Sequence, residues 1–132
     1  MEIDKMRSTV MFTALLFASL LISCGAAEMR QAQITDVYVE DFNSDDMKSC
    51  RPSDVPLDNS RALHFFHRAR QVDYTTIHDH YNIAPCYVEG TLKYGAISCE
   101  WRIRAGATAQ IKCGRRTQYF VCDNCEDLFR EQ

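Results

Sequence analysis

The chain has 132 residues, is 46% hydrophobic and 25% charged, and carries a formal net charge of −3. That length holds one domain, and the composition excludes collagen, low-complexity disorder and coiled coil. No apolar run reaches the roughly 18 residues of a spanning helix, and the negative net charge argues against a nucleic-acid-binding surface.

The first 24 residues read as a targeting signal. Lys5 and Arg7 form a short basic start, diluted by Glu2 and Asp4, and Val10 to Ile22 is then almost wholly apolar. That stretch is too short to span as a mature helix and suits the apolar core of a signal peptide. It ends in Leu21-Ile22-Ser23-Cys24, which resembles the lipobox of bacterial prolipoproteins. The resemblance covers the targeting segment only. It implies cleavage before Cys24, diacylglycerol on the Cys24 sulfur, an acylated amino terminus and attachment to a membrane. By the same resemblance, the non-acidic Gly25 implies passage to the outer membrane of a Gram-negative envelope, facing the periplasm. The alternative is ordinary signal-peptidase cleavage after Ala27, because Gly25-Ala26-Ala27 also fits a small-x-small site. On either reading Cys24 leaves the thiol pool. The expected organisation is a signal peptide over 1–23, a lipidated Cys and tether over 24–33, and one domain over 34–132.

Ile34 to Glu40 has strand propensity and alternation. Phe42 to Asp58 is rich in Asp, Ser and Pro without periodicity, and a loop of that length needs a pin, which Cys50 supplies. Asn59 or Ser60 can cap a helix running to about Val72. Leu63, Phe66 and Ala69, with Phe65 beside them, fall at helical spacing as a core stripe. Tyr74 to Ala84 has no decisive pattern.

Four strands follow: Tyr87–Tyr94, Ala96–Arg104, Thr108–Cys113 and Thr117–Cys122. Alternation places Cys99, Trp101 and Ile103 on one face, and Ala109, Ile111 and Cys113 on one face. Folding about Gly106 sets Cys99 opposite Cys113, Trp101 opposite Ile111 and Ile103 opposite Ala109. A first turn at Tyr94-Gly95 would set Val88, Gly90 and Leu92 opposite Trp101, Cys99 and Ile97. Asp123 and Glu126 match a capping box opening a short terminal helix. The expected fold class is α+β: one helix packed on an antiparallel β-meander and stapled by disulfides.

Without Cys24 six cysteines remain, an even number suited to an oxidising compartment. Cys99–Cys113 is the preferred bridge, since directly opposed strand residues lie within disulfide reach. Cys122 and Cys125 can bridge locally, which leaves Cys50 for Cys86.

Four chemistries are open to such a chain. Cys122-x-x-Cys125 at a helix start is a redox arrangement, but Asp123, Glu126 and Asp127 oppose a thiolate there. His64 and His67 are three apart on the expected helix, and His78 and His80 share a face only in an extended segment. The four are weak metal candidates, because nothing in the sequence unites the pairs. No nucleophile-elbow motif supports hydrolysis, and Asp45, Asp46, Asp54 and Asp58 read as a solvated cluster. Binding has the better support. Residues 59–116 carry nine basic and four acidic side chains, against three and eight in residues 25–58. Arg102, Arg104 and Lys112 point outward, with Arg115 and Arg116 at the next turn. These five could meet an acidic partner or lipid phosphate, although Glu89 and Glu100 can neutralise some of them. The Asp-rich loop is a second contact surface.

The expectation is therefore a small lipid-anchored envelope protein acting as a non-catalytic binding module, of the inhibitor, immunity or structural-accessory kind. It is expected to have an envelope protein partner and no cofactor. The alternative is a thiol-redox or metal-handling protein using Cys122 and Cys125 or the histidines.

Overall fold

The computed structural model describes residues 33–131; the targeting signal and Cys24 lie outside them. Six strands form one antiparallel sheet: β1 (Ile34–Ser44), β2 (Arg70–Val72), β3 (Cys86–Tyr94), β4 (Ile97–Arg104), β5 (Thr108–Cys113) and β6 (Arg116–Val121), in the order β1-β3-β4-β5-β6-β2. Two helices accompany it, α1 (Asn59–Arg68) and α2 (Tyr74–His80). The fold is α+β with three disulfides.

The expected meander is present as β3–β6, but it is extended at both edges. β1 joins β3 and runs four residues beyond the expected Glu40, while β2 joins β6. The helix is correspondingly shorter than expected. Asp58 caps α1 by accepting from the Arg61 N–H, so neither Asn59 nor Ser60 is the cap. The helix stops at Arg68, because Arg70–Val72 leave it to pair with Val121–Tyr119 along the β6 edge. Tyr74 to His80 settles as α2, capped by Asp73, which accepts from the Thr76 N–H and Oγ1.

Alternation divides the side chains between two faces. The inner face packs Ile103, Ile111, Trp101 and Phe120 against α1, where the buried residues are Ala62, Phe65 and Phe66, with Ala69 just beyond the helix. Phe66 meets Trp101 and Phe120 edge-on, at 5.6 and 6.1 Å between ring centroids. The core stripe is thus centred on Phe65 and Phe66, with Leu63 at its margin. Trp101 also donates its indole N–H to the Thr91 carbonyl, which satisfies the polar atom of a buried ring. Val55 and Leu57 at the end of the acidic loop are buried in the same core.

The register between β4 and β5 is the expected one, with Trp101 opposite Ile111 and Ile103 opposite Ala109. Between β3 and β4 it differs by two residues. Gly90 faces Trp101 and Leu92 faces Cys99, so Val88 faces Ile103. The turn still has two residues, but they are Gly95 and Ala96. Gly95 takes φ +59°, and the first turn position is where a left-handed residue fits this hairpin. A shift of two preserves which face each side chain occupies, so the core is unchanged.

Cys50 bridges Cys86, Cys99 bridges Cys113, and Cys122 bridges Cys125. The Cys122–Cys125 loop does not open the expected capped helix. A 3-10 turn over Glu126–Phe129 follows without a side-chain cap bond. The Asp123 carboxylate is occupied elsewhere, by Arg70 Nε at 2.9 Å and the Tyr81 hydroxyl at 2.8 Å.

Candidate binding surfaces of the sheet

The outer face of the sheet is covered only in part. α2 lies over β6, where Tyr74 packs on Tyr119 with ring centroids 5.3 Å apart. Phe120, the next residue, points to α1 on the other face. Between α2 and β1 the outer face is open, and a groove of about 480 Å³ runs over β1, β3, β4 and β5. Its charged lining is Glu40, Asp41, Glu89, Glu100, Arg102 and Lys112. A smaller hollow of about 200 Å³ adjoins it beneath α2, between Tyr74, Ile77 and Tyr119. Arg102 and Gln110 line both.

A strand with strict alternation would turn Glu40 and Asp41 to opposite faces. Both line the groove because the β1–β3 register slips between Val39 and Asp41. Such a bulge re-aims a side chain locally. A second slip, between Thr35 and Tyr38, contains Asp36 at φ +51°.

The structure divides the five expected partner-binding cations into two groups. Arg102 and Arg104 are committed within the domain. The Arg102 guanidinium lies 3.9 Å from the Tyr87 ring centroid and its Nη2 is 3.2 Å from Glu89 Oε2. The Arg104 guanidinium lies 4.9 Å from the same Tyr87 ring centroid, and its Nη1 donates to Asp45 at 2.8 Å and to the Ala84 carbonyl at 2.9 Å. Arg104 keeps only 17% of its side chain exposed. It therefore ties the acidic loop and the segment before β3 to the end of β4. Arg102 retains one unsatisfied donor, a buried Nε without a partner among the described residues.

Lys112, Arg115 and Arg116 behave differently. They are exposed and make no ion pair among the described residues. Lys112 faces Glu100 across the strands. Arg115 lies in the β5–β6 turn, and Arg116 opens β6, where it pairs with Cys113.

The acidic loop is engaged in its own folding. Asp46 accepts from the Ser49 hydroxyl and the Lys48 N–H, Asp54 accepts from the Arg51 N–H, and Asp58 caps α1. At the β2 edge, hydrogen bonds from Arg70 and then Tyr81 hold the Asp123 carboxyl below the usual carboxylate range. The same partner raises Arg70. Asp127 is lowered by its bond from Arg68, and Asp73 by the Thr76 hydroxyl and N–H.

The histidines are not brought together. His64 and His67 lie on α1 across the inner face, and His78 and His80 lie on α2 over the outer face. Residues two apart on a helix do not share a face, so His78 and His80 diverge; His78 Nδ1 meets Asp79 at 3.0 Å. Among the described residues no group of three or more His, Cys, Asp or Glu side chains is arranged to hold a metal. Cys122 and Cys125 are both buried as well as bridged.

The groove was not visible in the sequence, because it depends on the β1 bulge and on where α2 sits. The Asp73–Thr76 spacing is the one signal that could have placed α2. No family model, no curated protein and no solved structure matches this chain.

Proposed function

We propose that this chain is a non-catalytic binding module of the bacterial envelope, anchored by lipid on Cys24. The observation that supports the reading is the open outer face of the sheet. It forms a groove with a rigid floor of paired strands and a mixed, largely charged wall. A disulfide-stapled sheet presents such a surface with little ordering cost on binding. Tethering at a membrane adds high effective concentration for a partner held at the same membrane.

The partner's chemistry follows from the charges left over. Glu89 neutralises Arg102. Glu40, Asp41 and Glu100 then face Lys112 alone as the unpaired charges of the groove. The groove suits a segment carrying Lys or Arg side chains.

Photo-crosslinking from the groove floor tests this. A photoreactive residue at Gln110 is expected to give one discrete protein adduct in the envelope. The same residue at His64, on the opposite face, is expected to give none. The Gln110 adduct should disappear in Glu40→Lys/Asp41→Lys. Equal labelling from both positions, or an adduct indifferent to the charge reversal, contradicts the reading.

A further inference from the structure

We propose that the sheet end formed by the β3–β4 and β5–β6 turns docks on anionic phospholipid headgroups of the membrane that holds Cys24. The inference rests on the lipid anchoring proposed above and adds an orientation to it.

The topology sets the geometry. Ile34, the first residue of β1, pairs with Tyr94, and the Gln33 carbonyl accepts from the Gly95 N–H at 3.0 Å. The chain therefore enters the domain beside the β3–β4 turn. The β5–β6 turn lies at the same end, since β4 and β5 each run once along the sheet between the two turns. The Cys99–Cys113 bridge fastens the two hairpins there, with Cα atoms 4.5 Å apart. Nine residues, 25–33, separate Cys24 from the first strand. Fully extended they reach about 30 Å. The tether joins the domain at this end, which it can bring closest to the bilayer.

The side chains at that end suit an anionic interface. Arg115 and Arg116 project from the β5–β6 turn, and Lys112 stands just before it. All three are exposed and have no ion pair among the described residues. Ile97, at the start of β4, is 56% exposed and supplies an apolar contact beside them. Of the nearby carboxylates, Asp36 faces Lys93 at 4.0 Å and Glu100 faces Lys112. The opposite end carries the acidic loop and the segment Asp123–Asp127. At the second end Arg104, Arg70 and Arg68 already pair with Asp45, Asp123 and Asp127, so an anionic surface favours the first end. Each cation near such a surface contributes about fivefold in partition.

Protein purified from the envelope with its lipid is placed in vesicles of phosphatidylcholine, with or without phosphatidylglycerol. Ile97→Trp and Met47→Trp report the two ends, over the shared background of buried Trp101. Brominated lipids are expected to quench the Trp at 97 more than the Trp at 47 when phosphatidylglycerol is present. The difference should collapse in about 0.5 M salt, where charges are screened within a few ångströms. It should collapse equally in Arg115→Glu/Arg116→Glu. Equal quenching at both positions in vesicle-bound protein overturns the docking and leaves the anchoring intact. So does a difference insensitive to salt and charge reversal. Loss of the difference on adding inorganic phosphate at constant ionic strength assigns the cations to free phosphate and also overturns the docking. Purified protein that carries no lipid mass and does not float with vesicles overturns the anchoring and the docking together.

Discussion

Gly90 of β3 lies directly against the carbonyl of Tyr38 in β1; a Cβ at position 90 would fall inside the van der Waals envelope of that oxygen. The contact sits where β1 is bulged, so the missing side chain and the bulge fit together. Gly90→Ala must push β1 outward and disturb Glu40 and Asp41 on the groove wall. The expected cost is about 3 kcal/mol in denaturant unfolding, at the upper end of the overpacking range. A variant as stable as the parent would show that β1 can move away freely.

The Cys99–Cys113 bridge spans 14 residues of sequence. Closing a loop of that size contributes about 3 kcal/mol by restricting the unfolded chain. Cys99→Ser/Cys113→Ser should lose about that much while keeping the strand register, which the Trp101–Ile111 and Ile103–Ala109 pairs also specify. Thermal unfolding and amide exchange along β4 and β5 read the two effects separately.

The five basic residues should separate into two classes on substitution. Arg104→Ala removes the bonds to Asp45 and the Ala84 carbonyl and the contact with Tyr87. A loss of about 2 kcal/mol is expected, since hydrogen bonds to charged groups contribute about 1.5–3 kcal/mol. Arg115→Ala and Arg116→Ala should stay within about 0.5 kcal/mol, as exposed unpaired positions do. Equal losses across the three would contradict the division.

Acid should weaken the β2 edge in a defined direction. Hydrogen bonds from Arg70 and Tyr81 lower the Asp123 pKa in the folded protein from 3.8. A lowered folded pKa means that the stabilisation is complete above the unfolded value. It is lost as pH falls through the folded value. Asp127 and Asp73 act in the same sense. Unfolding measured from pH 6 downward should lose stability as the pH falls below about 4, and Asp123→Asn should flatten that loss. An unchanged slope in the variant would show that the exposed carboxylate is fully screened.

Much of the sheet was legible because its signal is local. The alternation in Ile97–Arg104 and Thr108–Cys113 identifies two half-buried strands, and their turn sets Cys99 beside Cys113. What escaped the sequence depends on neighbours. Arg70–Val72 is too short for a period, and it becomes a strand because the β6 edge is there to pair with. The β3–β4 register depended on which turn position Gly95 would occupy. The groove depended on a bulge that turns two consecutive acidic residues to one face. Glu89 was a legible partner for Arg102, whereas the packing of both arginines on Tyr87 and the fold-back of Asp45 onto Arg104 depend on the tertiary fold.

The most direct test of a lipid-anchored, non-catalytic binding module is the intact mass of the protein from the envelope, alkylated before reduction and recorded also under native conditions. The expected result is a chain beginning at Cys24 with the added mass of its acyl groups, no alkylated thiol and no metal. A chain beginning elsewhere without lipid would contradict the anchoring. Two alkylated thiols at Cys122 and Cys125, or a retained metal ion, would contradict a module without redox or metal chemistry.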